Sequence, residues 1–342
     1  MDLALDESQS LLQETFADFF AKECPSTRVR DAEPLGFCPE LWGHLAELGA
    51  PGVGVPEIAG GSAGSLLDML LIAEEAGAAA APVPFAEVTV ASRLLAALSA
   101  DASPLPEALA GEAIPSLALE DVAVQPRQLL AAGAVASHVL ALHGDELRML
   151  CLDPDRSADS PPNLGSAPLA WVDFGGGASQ TTLARGEEAR ALFGRARDEW
   201  LVVTAASLVG LARRALELGV AYAKERIQFG VPIGSFQAIA HRLADEATAT
   251  DGARLLVWEA AWADRAQPER FAELCAMAFS WAAQTARSVS ETSLHVHGGY
   301  GFSLEYDIQL YYQRAWAWSL VGGGSRRGLE LVAERRFGSA AA

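Results

Sequence analysis

At 342 residues the chain exceeds what one hydrophobic core usually organises, so two or three sub-domains are expected. Half of its residues are apolar, with Ala and Leu abundant and Gly and Pro ordinary, as in a mostly helical globular protein, and no run of 18 uncharged apolar residues marks a membrane span. A net charge of −19 excludes partners that need a concentrated basic face, nucleic acid and anionic membranes among them, and makes any anionic ligand depend on a local cluster of Arg or backbone N–H groups.

The start, Met1-Asp2-Leu3-Ala4-Leu5-Asp6-Glu7, lacks the basic region of a signal peptide, and a cytoplasmic location is expected. Cys24, Cys38, Cys151 and Cys275 stand far apart without a CxxC pair, so they read as isolated thiols, and no metal site is expected. From Leu3 to about Ala100 the pattern is helical: Leu11, Leu12, Phe16, Phe19 and Phe20 recur at spacings of three and four, and Trp42, Leu45 and Leu48 repeat it. A Pro/Gly-rich break follows at Pro51–Pro56. The loop Gly60–Ser65 ends in a residue suited to cap the next helix, with Asp68 at its N3 position.

From about Ser103 to Arg185, short apolar runs (Ser116–Leu119, His138–Leu142, Arg148–Leu152) alternate with turn signals such as Pro161-Pro162 and Gly175-Gly176-Gly177, which predicts a small β domain. Long helices return from Gly186. The run Trp200–Lys224 aligns Leu201, Ala205, Leu208, Leu211, Ala212, Ala215, Leu218 and Tyr222 on one stripe, with small residues around it suited to close packing on several sides. The expected domains are 1–102 (helical), 103–185 (β) and 186–342 (helical bundle).

Two blocks in the last zone carry chemistry. The first is Arg226-Ile227-Gln228-Phe229-Gly230-Val231-Pro232-Ile233-Gly234-Ser235-Phe236-Gln237, completed by His241 and Ala244-Asp245; the second is His297-Gly298-Gly299-Tyr300-Gly301-Phe302, followed by Glu305-Tyr306. On its own, Arg226 is a cation ending a helix, favourable to the macrodipole, before a turn at Gly230 and Pro232 and a new helix near Ser235. A Gly-Gly pair is usually a turn, although it also lets backbone N–H groups approach a phosphate.

With these blocks, and with Leu48–Glu57, Gly60-Gly61 and Glu74-Glu75-Ala76-Gly77 upstream, the sequence resembles the acyl-CoA dehydrogenases over nearly its whole length. The resemblance implies a mainly α fold with an N-terminal helical domain, a middle β domain (here reduced) and a C-terminal four-helix bundle, and it implies FAD as cofactor. In the family the Arg matching Arg226 reaches across a dimer interface to the flavin pyrophosphate of the other subunit, a task suited to a planar guanidinium. Gln228, Phe229, Ile233, Phe236, Gln237, Gly298 and Gly299 match residues around the same dinucleotide. His295 stands where the family usually has Gln, so that contact is altered or lost.

The family reaction needs a carboxylate within hydrogen-bond reach of the substrate α-carbon. Of its two base positions, the commoner falls on Gly322 and the alternative, 26 positions before Arg226, on Trp200, with Gly210 matching the family's helix glycine. Glu199 is adjacent to Trp200, but one helical step rotates a side chain by about 100°. The β-domain segments that hold flavin and thioester should fall near Ser116–Asp121 and Trp171-Val172-Asp173, and neither matches. The pattern resembles the smaller, base-lacking subunit of the α2β2 acyl-CoA dehydrogenases that actinobacteria use on steroid side chains, and Gly322–Arg327 followed by Leu329-Glu330-Leu331 resembles the ending of such subunits. The implied partners are a homologous subunit carrying the base, an acyl-CoA substrate of steroid type, and electron-transfer flavoprotein as acceptor. Two alternatives stand beside this: a self-sufficient homo-oligomeric enzyme using Glu199, and a non-catalytic scaffold of the same fold.

Overall fold

The first helix, α1 (Glu7–Glu23), starts at a reciprocal capping box in which the Gln9 backbone N–H donates to the Asp6 carboxylate (2.8 Å) and the Asp6 N–H to the Gln9 side chain (3.0 Å). Phe16 and Phe20 are buried, whereas Leu11, placed on the same apolar stripe by its spacing, is 63% exposed. The two buried rings are four residues apart on one face, and Leu11 falls outside the arc they define. After α2 (Ser26–Asp31) and α3 (Pro39–Glu47), the Pro/Gly-rich break folds into short 3-10 turns at Ala50–Gly52 and Glu57–Ala59. The cap expected before α4 (Leu66–Ala78) is present: the Asp68 N–H donates to Ser65 Oγ (3.2 Å) and the Ser65 N–H to the Asp68 carboxylate (2.6 Å). Helices α5 (Phe85–Leu98) and α6 (Leu105–Leu109) follow. This computed structural model describes residues 4–98, 103–153, 160–175 and 180–338; Met1–Leu3, the stretch at the expected 102/103 boundary, and Gly176 and Gly177 of the predicted turn lie outside them.

Each predicted apolar run of the middle zone overlaps a strand. A sheet of order β1-β3-β4-β6 is formed by β1 (Pro115–Leu117), β3 (His138–His143), β4 (Glu146–Cys151) and β6 (Gln180–Arg185), with β1 and β3 parallel and the other pairs antiparallel. A separate antiparallel pair joins β2 (Arg127–Leu130) to β5 (Ala170–Asp173). Val122, Leu130, Val139, Leu150, Val172 and Phe174 close a core between them.

The third zone opens with α7 (Gly186–Glu225), followed by the hairpin of β7 (Ile227–Gln228) and β8 (Val231–Pro232), then α8 (Gln237–Ala266), α9 (Pro268–His297), α10 (Ile308–Val321) and α11 (Gly324–Phe337). No helix among the described residues is long and apolar enough to cross a membrane.

Residues group into two compact units, one of Met1–Thr27, Leu70–Ala81 and Thr204–Ala342, the other of Arg28–Met69 and Pro82–Val203. In the first, α4 and α7 touch backbone to backbone: a Cβ on Gly210 would collide with the Glu74 carbonyl, and one on Gly77 with that of Ser207. An ionic cluster beside this crossing ties α1, α4, α7 and α8 together. Arg254 Nε donates to Glu74 (3.2 Å), Arg213 Nη2 to Glu75 (2.7 Å), and the Gln13 amide also to Glu75 (3.0 Å). Burial pushes the Glu74 carboxyl above its ordinary range, and the Arg254 and Arg213 charges pull against that shift. In the second unit, Gly54 lets Arg93 approach and accepts its Nη1 at the Gly54 carbonyl (2.7 Å).

Candidate cofactor-binding site

The last turn of α7 carries Tyr222, and Arg226 follows the helix directly, its N–H donating to the Tyr222 carbonyl (2.9 Å). Beyond it the chain makes a two-residue hairpin with Phe229 (φ 54°) and Gly230 (φ 82°) at its tip, the left-handed pair that such a turn requires. Glycine adopts this freely; for Phe229 it costs about 1–2 kcal/mol. The hairpin is held from below by buried Ile233, which packs with Ala223 and Leu243 and donates its N–H to the Arg226 carbonyl (2.8 Å). A turn was expected here; the strand pairing that fixes it depends on this anchor. Ile233–Ser235 is a 3-10 turn, so the following helix begins at Gln237 rather than near Ser235.

A cavity of about 530 Å³ opens beside this hairpin, lined by Arg226, Gln228, Ile233, Tyr222, His297, Gly298, Gly299, Tyr300 and Glu305 among others. Gly298 ends α9 with φ 60° and ψ −135°, a conformation open essentially to glycine, and nothing lies within 4 Å of where a Cβ would stand on Gly298 or Gly299. The backbone there is bare toward open space, as close approach to a ligand requires. Exposed Arg226 lies over the Tyr300 ring (5.8 Å to the centroid) and makes no ion pair with a described carboxylate, unlike Arg93, Arg195, Arg213 and Arg254. Buried His297 stacks on Tyr222 (4.3 Å, 26°).

Five of the predicted binding residues, Arg226, Gln228, Ile233, Gly298 and Gly299, therefore share one cavity. His295 lines a second cavity of about 440 Å³ with Arg242, Glu291 and Tyr312, and Gly298 borders both. Phe229, Phe236 and Gln237 line neither; Phe229 is 93% exposed and meets Phe236 edge to face (6.1 Å) at the surface. An unpaired guanidinium, bare glycine backbone and an amide are the donor set a pyrophosphate needs, and exposed aromatic faces suit the rest of a dinucleotide, so these residues fit FAD.

At the expected base positions, Gly322 caps the C-terminus of α10 and Trp200 is buried (2% exposed) in α7. Both carboxylate oxygens of Glu199 are engaged by the guanidinium groups of Arg93 and Arg195. The Trp200 indole N–H donates to the carboxyl of Glu87, on α5, at 3.1 Å. Burial raises the Glu87 carboxyl above its usual range. Nothing in the sequence pattern pointed to Glu87, and His297 stood in the second block without a role of its own. A pairing across 113 residues leaves no local signal, and a His beside a Gly-Gly reads as the end of a helix.

The two β-domain segments that departed from the family pattern are occupied by local hydrogen bonds. The Ser116 hydroxyl donates to the Ala131 carbonyl (2.7 Å), and the Asp121 carboxylate accepts from the Ala123 and Gly144 N–H groups (2.8 and 3.0 Å). Trp171 is half exposed beneath the Arg127 guanidinium (5.0 Å to the ring centroid).

Residues 201–337 match the profile of the acyl-CoA dehydrogenase C-terminal domain, and residues 6–104 that of the N-terminal domain. The acyl-CoA dehydrogenase IpdE2 of Mycolicibacterium smegmatis is 32% identical over 336 residues, which cover 97% of this chain and 100% of the relative. The ChsE4–ChsE5 complex from Mycobacterium tuberculosis contains a chain that superposes with a TM-score of 0.86 at 25% identity, covering 100% of both chains. A variant of the Tcur3481–Tcur3483 steroid ACAD superposes with a TM-score of 0.82 at 26% identity, over 96% of this chain and 97% of that one. With two domain profiles and a full-length relative at this identity, and with the cavity residues in place, this chain belongs to the acyl-CoA dehydrogenase family.

Proposed function

We propose that this chain is a base-lacking subunit of a heteromeric, FAD-dependent acyl-CoA dehydrogenase, and that it completes the cofactor site of a homologous partner which carries the base. The observation that carries this reading is a dissociation within one chain. Arg226, Gln228, Gly298 and Gly299 gather in a single open cavity, while the two positions to which the family resemblance assigns the carboxylate hold Gly322, at the end of α10, and buried Trp200. When bound, FAD supplies the hydride acceptor for α,β-dehydrogenation of an acyl-CoA thioester. The part of this chain is to bind and orient: Arg226 neutralises phosphate, the Gly298-Gly299 backbone seats it closely, and the aromatic hairpin tip at Phe229 packs against the cofactor or the partner. The names of the ChsE4–ChsE5 complex and the Tcur3481–Tcur3483 steroid ACAD support two further expectations, a two-chain assembly and a steroid-type acyl-CoA. Electron-transfer flavoprotein is the expected acceptor, and the expected domain limits remain 1–102, 103–185 and 186–342.

Co-expression with a homologous base-carrying subunit tests this. The complex should retain FAD and oxidise acyl-CoA, and this chain purified alone should hold well under one FAD per subunit. A full flavin complement bound tightly by the chain alone would count against the reading.

A second reading, a self-sufficient enzyme, draws on the carboxyl of Glu87 at 3.1 Å from the Trp200 indole nitrogen. It requires turnover by the isolated chain that Glu87→Gln abolishes while flavin stays bound.

A further inference from the structure

His297 is a buried, constrained polar group on the cavity wall. Its Nδ1 lies 2.7 Å from the Ser293 backbone carbonyl, which can only accept, so Nδ1 carries the proton. In a neutral ring the lone pair then resides on Nε2. Burial lowers the pKa of this imidazole, which keeps the ring neutral near pH 7. Tyr222 stacked on one face and the Tyr306 ring set edge-on (5.7 Å, 72°) fix the plane, so both orientation and tautomer are set before any ligand arrives.

The surrounding wall is rich in donors, namely Arg226, the Gln228 amide and the backbone at Gly298 and Gly299. Glu305 also lines the cavity, but a carboxylate repels phosphate, whereas a neutral imidazole accepts a hydrogen bond without that penalty. A cavity with donors for a polyanion and, beside them, a neutral acceptor held in one orientation matches a phosphate ester whose neighbouring group bears a hydroxyl.

We propose that His297 Nε2 accepts a hydrogen bond from a ribose-type hydroxyl of the ligand whose phosphate Arg226 holds, so that His297 distinguishes a nucleoside diphosphate from bare pyrophosphate. This rests on the dinucleotide reading of the cavity given above. His297 is a binding residue here, with no part in proton transfer to substrate.

The test titrates the flavin-free protein in its native assembly with ADP and with inorganic pyrophosphate. His297→Phe retains a ring to stack on Tyr222 and removes the acceptor; His297→Gln removes the ring and retains an acceptor. His297→Phe should weaken ADP about five- to tenfold and leave pyrophosphate within about twofold, and His297→Gln should bring ADP back to within about threefold of wild type. The proposal fails if His297→Phe weakens neither ligand or weakens both equally. Should His297→Phe not fold, the proposal fails if His297→Gln weakens ADP as much as Arg226→Ala does. If the wild type binds neither ligand, the dinucleotide reading falls and takes the proposal with it; a wild type that binds both, with no selective loss in His297→Phe, overturns the proposal alone.

Discussion

Arg93 grips both carboxylate oxygens of Glu199, Nε to Oε2 at 2.9 Å and Nη2 to Oε1 at 3.0 Å, and Arg195 Nε reaches the same Oε1 at 2.7 Å. Glu199 is 3% exposed. With both oxygens occupied by three charge-assisted hydrogen bonds, this carboxylate has no oxygen left to turn toward the α-proton of a substrate. The arrangement clamps α5 to α7 and holds Arg93 against the Gly54 carbonyl.

Glu199→Gln should therefore act on stability. Losing the charge at a site built for two guanidinium groups should cost about 1.5–3 kcal/mol, read as a lower midpoint in urea unfolding. Turnover per folded complex should stay at the wild-type level. Loss of turnover without loss of stability would return Glu199 to the list of bases.

Glu87 should report through pH. Burial raises its folded pKa above the unfolded value, so the native state favours the protonated form. Its contribution is full below the unfolded pKa and is lost as pH rises through the folded one. Glu87→Gln keeps an oxygen for the Trp200 indole and removes the titration. The variant should melt with wild type at pH below the ordinary carboxyl range and increasingly above it as pH rises through the raised folded pKa. A gain in melting temperature that did not change with pH would refute this account.

What could be read in advance was what lies close in sequence. The Ser65–Asp68 cap, the stripe of α7 and the Arg226 block are each encoded within a few turns, and each appears in the structure. Gly210 was legible as a helix glycine through family resemblance, but the reason for it, the Glu74 carbonyl across the α4–α7 crossing, was not. Arg93 and Glu199 are 106 residues apart, and Arg254 and Glu74 are 180 apart. No local pattern encodes such pairings, because the chain path alone brings them together. The cavity itself was half legible: Arg226, the glycines and His297 lie in the two motif blocks, whereas the stack of Tyr222 on His297, two rings from different helices, has no local signal.

Phe229 exposes a trade between stability and binding. An aromatic residue at φ 54° and 93% exposure is unfavourable for an isolated chain. Asn tolerates the left-handed region, so Phe229→Asn should stabilise this subunit by about 1 kcal/mol. The same change should loosen cofactor retention or assembly in the complex. Unchanged FAD affinity together with unchanged subunit association would mean that the exposed ring has no partner.

Arg226→Ala in the assembled protein should weaken FAD about ten- to hundredfold without changing the melting temperature of the apo form, since no ion pair with a described carboxylate is broken. Arg226→Lys should recover part of the loss, because a point charge does not reproduce the two-pronged contact. Affinities for wild type and Arg226→Ala within about a factor of two would reduce Arg226 to a charge at a helix end.

Gly322 allows the reading to be tested by addition. It caps α10 at φ −83° and ψ 12°, a conformation that any residue adopts, so a side chain there meets no backbone penalty. If the only deficit of this subunit were its missing carboxylate, Gly322→Glu would give a chain active by itself. The β-domain segments argue otherwise, since the Ser116 hydroxyl is spent on the Ala131 carbonyl and the Asp121 carboxylate on two backbone N–H groups. We therefore expect Gly322→Glu to fold, to assemble with its partner, and to show no acyl-CoA-dependent dye reduction when purified alone with added FAD. Turnover by that variant alone would show that one chain holds a complete flavin bed, and the division of labour between two subunits would have to be abandoned.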